Sequence, residues 1–422
     1  MKQFEQGQGT SSSVSSPTNG TPPLPVLGAR AAALPGSGAD QTVVQQTPSS
    51  RAVLNYLNFS FSALMSAGVS TARNGEIRTG HPAPYERGFS LNSAELAVEG
   101  AVDPYFKAAG SVSLVLDPDG HSEVELEEAW AATTALPFGL QVKAGLFQAA
   151  FGRHNQQHAH EWAFVDQPIA LTRLLGDDGL RQPGAQLSWL VPIAVYSELS
   201  LGVFNNRNPG FVATEETAEG WHSVLHGGAL QDHELRGPGD LLFVPRMSVS
   251  FDLTGTQTLL SGVSAAFGPN NSGPGADTQV YGLDIYWKWR PERAEAGFPF
   301  VAVQAEALYR RYEAAARVGP TGAVLPAETL RDWGLYGQVL WGFKRRWVAA
   351  FRAEFASADT GAFDSDLRND RFRLSPNLTF YPTEYSKLRF QYNFDHRQIA
   401  GADHSAWVQL EFILGAHAAH KF

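Results

Sequence analysis

The chain has no cysteine. That excludes a disulfide scaffold, thiolate metal sites and a cysteine nucleophile. Charge is sparse, at 18% of residues against about 25% in soluble domains. The balance is acidic, at −10, and no basic tract occurs, which argues against a nucleic-acid partner. No stretch approaches the roughly 18 apolar residues of a membrane-spanning helix. A membrane location stays open, because a closed barrel also satisfies its backbone in lipid. The slightly polar mean hydropathy fits a barrel with a wet lumen and a soluble β-protein equally. Met1-Lys2 is followed by QFEQGQGTSSS, without the apolar stretch of a signal peptide, although an outer-membrane protein has to be exported. There is no G-x-S-x-G elbow and no Ser-His-Asp set. The run Leu225-His226-Gly227-Gly228 resembles an oxyanion loop but lacks its context. The chain is not expected to be an enzyme.

Residues 1–50 hold six prolines, six glycines and eight serines, with one aromatic, Phe4. Such a segment cannot bury enough apolar surface to offset its ordering, so it is expected to be a disordered lead. Residues 51–422 are expected to form one domain.

From residue 51 the pattern alternates. About 16 segments read as strands, each roughly the ~10 residues that cross a bilayer when tilted. They lie near 51–66, 89–102, 104–116, 121–132, 139–147, 184–191, 194–205, 241–253, 256–267, 278–290, 298–311, 331–343, 346–357, 369–381, 385–396 and 404–415. In the last of them Ala406, Val408, Leu410, Phe412 and Leu414 alternate with Gln409 and Glu411, a period of two. Short connections alternate with long ones, as in outer-membrane barrels with an even strand number. Aromatics crowd the strand ends at Trp287, Trp289, Trp341, Trp347, Tyr381 and Tyr385, where interfacial girdles belong. The expected fold is all-β: a transmembrane antiparallel barrel of about 16 strands. One segment, 121–130, breaks the parity, because Glu128 falls on the lipid side with Val124 and Leu126.

Under this parity the lumen has two charged walls. Early strands offer Glu95, Glu99, Glu123, Glu125 and Glu127, with Lys107 and Lys143 as exceptions. Late strands offer Arg346, Arg352, Arg371, Arg373, Lys387 and Arg389, against Glu354, Asp395 and Glu411. Opposed walls would set up a focused transverse field. Paired charges filling the interior would give the same composition.

The connection from Phe147 to Gly184 stands apart. It is too apolar to lie in water and is expected to fold inward, carrying Arg153, Asp166 and Arg173 as constriction residues. Its second half reads as a helix capped by Asp166 and ended by Gly176. Three of the twelve histidines, His154, His158 and His160, sit within it. A zinc or copper contact is admitted, though the spacing is unspecific and hydrogen bonding within the lumen explains it as well. His222, His226 and His233 form a second cluster, and His417 and His420 a weaker pair.

Taken together, the 16 strands, the inward loop after the fifth and the terminal Phe422 resemble the general and phosphate-selective porins. Lys143-Ala144-Gly145-Leu146-Phe147 followed by Phe151-Gly152 looks like the strand and loop start of the phosphate-selective family. FGRHNQQHAHEWAFVDQP, GDDGLRQPGAQLSWL and GAHAAHKF are similar to a family often labelled zinc-regulated TonB-dependent outer-membrane receptor. These resemblances imply an outer-membrane porin-like channel for small hydrophilic or charged solutes. They also admit a homotrimer and zinc on His154, His158 and His160. The alternatives are a zinc-linked uptake receptor and a plugged structural barrel.

Overall fold

The computed structural model describes residues 57–73, 83–84, 86–116, 122–206, 235–319, 321–363 and 368–415. The expectations for 1–50, for the second histidine cluster, and for His417, His420 and Phe422 lie outside these residues, as does the Glu123 side chain.

The first eleven strands are β1 (Leu57–Ser70), β2 (Gly88–Ala101), β3 (Phe106–Leu116), β4 (Ser122–Thr133), β5 (Leu140–Gln148), β6 (Arg181–Leu190), β7 (Tyr196–Phe204), β8 (Leu242–Thr254), β9 (Gln257–Pro269), β10 (Asp277–Trp289) and β11 (Phe300–Ala314). A two-stranded ribbon follows, β12 (Arg317–Val318) with β13 (Val324–Leu325). The wall resumes with β14 (Glu328–Lys344), β15 (Trp347–Ala358), β16 (Arg371–Thr383), β17 (Ser386–Arg397) and β18 (Gly401–Gly415). Leaving the ribbon aside, each strand pairs antiparallel with the next, and β1 pairs with β18 from Ser60↔Gly415 to Ser70↔Ser405. The result is a closed 16-stranded barrel. Closure leaves no unpaired edge, which is what hydrocarbon requires.

The outer face is apolar along nearly every strand. Leu126, Leu187, Val263, Leu283, Leu335, Phe351, Phe390, Val408 and Leu410 are all exposed. Their neighbours in sequence turn inward and are buried, as with Arg352, Arg389 and Gln409. An apolar exterior around a polar interior is the arrangement of an outer-membrane barrel, and that is where this architecture sits. Trp341 and Tyr385 are exposed at the short-turn end, as a girdle requires, whereas Tyr381 turns inward onto Phe298 and Phe300.

The parity conflict in 121–130 has a local cause. Ser111 pairs with Glu128, but Val112 pairs with Leu126. Glu127 is therefore the extra residue of a β-bulge, which swings the residues after it to the other face. Val124 and Leu126 face outward, while Glu128 turns into the lumen, where it meets Trp130 Nε1 at 2.9 Å.

β11 and β14 run farther than their sequence pattern suggests. Tyr312, Ala314 and Leu330 form a small buried cluster that carries the pairing on to Ala314↔Glu328.

Candidate functional site

The segment between β5 and β6 touches Glu95 on β2, Glu128 on β4, Ser264 on β9, Glu306 on β11, Glu354 on β15 and Gln391 on β17. Only a chain inside a closed barrel can reach strands on all sides.

Its apolar residues account for the position. Phe147, Phe151, Ala170, Leu171, Leu174 and Leu175 pack on Phe204, Leu242, Val244, Val280, Leu308 and Tyr336. This is a dry core inside the lumen, built on the inner faces of β7 to β11 and β14. Tight neighbours are part of the fit: a Cβ on Gly334 would stand 2.8 Å from that of Ala170.

A buried backbone must have its polar groups paired. Little of this segment is helix or sheet, so side chains of the wall do the pairing. Arg389 donates to Trp162 O at 2.6 Å and to Phe164 O at 3.1 Å. Arg352 donates to Asp166 O, and Arg373 to Gln167 O, both at 2.9 Å. Lys387 donates to His160 O at 2.5 Å. In the other direction, Ser264, Glu306, Gln391 and Glu354 accept from the amides of Gly152, His154, Val165 and Ile169. Bonds to charged groups contribute about 1.5–3 kcal/mol each.

Helix α1 (Ile169–Leu175) ends at Gly176, as expected, with φ 102°. Its start differs from expectation. Pro168 occupies the N-cap and Asp166 does not cap. Instead Asp166 binds Arg352 at 2.5 Å and Arg373 at 3.2 Å. Burial alone would raise its pKa, but Arg373 and Arg352 hold it below the usual range. The helix N-terminus is met by Glu354, whose carboxylate takes the Ile169 amide at 2.6 Å. A wall carboxylate thus serves the positive end of the helix.

The histidines do not converge. The stretch is not one helix: 154–156 and 159–161 are separate single turns with extended Gln157 and His158 between them. His154 stacks on Trp162 at 5.5 Å and lies edge-on to Tyr336. His158 and His160 stack on each other at 5.6 Å on the acidic side. His158 reaches Glu128 at 3.6 Å and Glu95 at 3.9 Å, and His160 reaches Glu95 at 3.6 Å. Among the described residues no group of three or more metal-ligating side chains is poised for an ion, so the structure lends the zinc expectation no support.

The remaining expected residues fall as follows. Glu125 and Glu127 both bind Arg181. Glu99 is exposed in the Glu95 row of β2. Arg371 pairs with Asp395 at 2.6 Å. Arg153 lies over the Tyr286 ring at 3.9 Å. Arg173 donates to Asn369 O at 3.0 Å. Arg346 is corrected: it lies in the turn between β14 and β15, exposed, with φ 71°. The sequence reading missed Glu306, Ser264, Gln391, and the buried groups Arg246–Asp284 and Arg310–Asp332–Arg368. All but Arg368, which lies in the connection between β15 and β16, are polar residues in inward rows, so the parity already applied to late strands would have found them.

His154, buried, and His158, partly exposed, predict a pH profile. Burial, followed by Arg352 and Arg153, pushes His154 down to about 3. For His158 burial acts downward, but Glu128, Glu95 and Glu161 outweigh it and raise the value to about 10. Both start from 6.5 in the unfolded chain. His154 therefore withdraws stability as pH falls from 6.5 toward 3, and His158 as pH rises from 6.5 toward 10. Unfolding midpoints measured against pH should peak near 6.5. His154→Phe should flatten the acid limb and His158→Gln the alkaline one. Unchanged limbs in both variants would contradict the assignment.

No protein-family model matches the chain. An uncharacterized protein of Aquifex aeolicus (strain VF5) is 32% identical over 360 residues, 80% of this chain and 71% of that protein. Among solved structures, the outer membrane channel DcaP of Acinetobacter baumannii aligns with TM-score 0.53 at 10% identity, over 85% of this chain and 97% of its own. An anion-selective porin from Comamonas acidovorans aligns with TM-score 0.51 at 9% identity, over 85% and 99%. At such identities the likeness is one of fold. Both are barrels of the porin type. A TonB-dependent receptor would need about 22 strands and a plug, against 16 here.

Proposed function

The chain belongs to the family of the Aquifex aeolicus protein, and on the premise of its porin-type barrel we propose that it is an outer-membrane diffusion channel narrowed by residues 149–180. A 16-stranded barrel with an empty interior leaves a wide aqueous channel. Here that interior holds a segment packed on a dry core and bonded to walls on both sides. The observation that carries the reading is the set of wall-to-backbone bonds from Arg352, Arg373, Lys387 and Arg389. They fix the segment in one place, so the remaining passage has a fixed, small width. Small hydrophilic solutes are the class such a passage admits.

The depth of the packing favours one other reading, a sealed structural barrel. Planar-bilayer recordings of the refolded protein separate the two. Small, discrete conductance steps support the channel. A folded, heat-modifiable barrel that gives no steps would replace it with the sealed one.

A further inference from the structure

Most cations inside the barrel are committed to a carboxylate. Arg181, Arg246, Arg352, Arg373 and Lys387 are each ion-paired. Lys107 lies near Glu99, and Lys143 near Glu128. Lys288 differs. It shares the inward row of β10 with Asp284 and Tyr286, level with Thr258 on β9 and Ala302 on β11, toward the short-turn end. The charged groups around it are Arg290 and Arg153, both cations, and among the described residues no carboxylate pairs with it. A half-buried charge beside like charges calls for a counter-ion. A mobile anion drawn from the lumen water can supply it.

The wall beside Lys288 is apolar. Its ammonium stands 5.5 Å from the centre of the Phe300 ring. Phe300 belongs to a buried cluster that Tyr286, Leu340 and Tyr381 cover, each of them only partly buried. Among the described residues no apolar side chain of the inward segment joins this cluster; those side chains form the separate core on β7 to β11 and β14. The segment reaches the patch through Arg153, which lies over the Tyr286 ring at 3.9 Å. Two tyrosines and a leucine thus stand at the inner mouth next to a cation that no carboxylate offsets. An apolar surface beside a positive charge complements a solute built the same way, an apolar body ending in an anion.

We propose that this corner of the lumen is a docking position for small amphipathic organic anions, of which an aromatic carboxylate is the simplest. The carboxylate sits on Lys288 and the ring lies against Tyr286, Leu340 and Tyr381. Lys288 is then the residue that sets selectivity. The proposal rests on the channel reading above and gives that passage a solute class. The ion pairs elsewhere in the lumen cancel locally and exert no comparable pull.

The test is block of single-channel KCl current by benzoate, acetate and benzyl alcohol, in the wild type, Lys288→Gln and Lys288→Arg. Benzoate should block the wild type. Acetate, which lacks the ring, and benzyl alcohol, which lacks the charge, should each block roughly tenfold more weakly. Lys288→Gln should lose the same factor for benzoate, and Lys288→Arg should retain the block. Acetate as potent as benzoate would overturn the apolar wall. Benzyl alcohol as potent as benzoate, or undiminished benzoate block in Lys288→Gln, would overturn the role of the charge. The comparison of the three probes on the wild type keeps the test decisive if a variant fails to fold. Clear conductance steps without benzoate block would overturn the docking position and leave the channel intact. Complete absence of steps would instead remove the channel reading, and this inference with it.

Discussion

Replacing Arg373 with alanine is expected to destabilise the folded barrel by about 3–5 kcal/mol, the usual cost of removing one partner from a buried ion pair. The side chain is 1% exposed. It binds Glu354 at 2.9 Å, Asp166 at 3.2 Å and Gln167 O at 2.9 Å. Its loss leaves two buried carboxylates sharing Arg352, and one backbone carbonyl unpaired. Glu354 also receives the helix N-terminus, so the damage should spread to α1. The readouts are the unfolding midpoint in denaturant and the open-channel noise, which should rise as the segment loosens. A midpoint within experimental error of the wild type would mean that the cluster does not hold the segment.

Replacing residues 150–179 with Asn-Gly should have the largest effect on conduction. The ends of β5 and β6 are already paired, Gln148 with Arg181. Ala149 N donates to Leu180 O at 2.7 Å, continuing that ladder. A two-residue type I′ turn therefore closes the hairpin without strain. The shortened barrel should conduct several-fold more than the parent, because the lumen loses its filling. It should also be less stable, since Phe204, Leu242, Val244 and Leu308 lose their cover at about 25 cal/mol per Å² of apolar surface. Unchanged conductance would remove the segment from any role in the passage.

Much of the barrel was legible in the sequence, and the reasons are physical. Lipid outside and polar groups inside impose a period of two, so the strands announced themselves. Phe390 and Arg389, or Val408 and Gln409, needed only the alternation to be placed. The bulge at Glu127 was visible as a fault in that alternation, but its cause was not, because pairing register depends on the partner strand. The inward segment was legible from its apolar content. Its details were not. Asp166 looked like a helix cap because local rules favour it there, but Arg352 and Arg373, far along the chain, compete for it. The histidines looked like a set on the assumption of one helix, whereas wall contacts break the stretch into two turns. Distances across a lumen are tertiary facts, and spacing along the chain does not encode them.

The central claim is that residues 149–180 are fixed inside the barrel. The absence of native cysteine makes single-site labelling a direct test. Thr172→Cys places a thiol on α1 at a position 2% exposed, and Thr134→Cys places one at an exposed short turn. In the folded barrel in lipid, a water-soluble maleimide should label the Thr134→Cys variant and leave Thr172→Cys unmodified until it is unfolded. Labelling of Thr172→Cys in the folded barrel as fast as Thr134→Cys would contradict the claim.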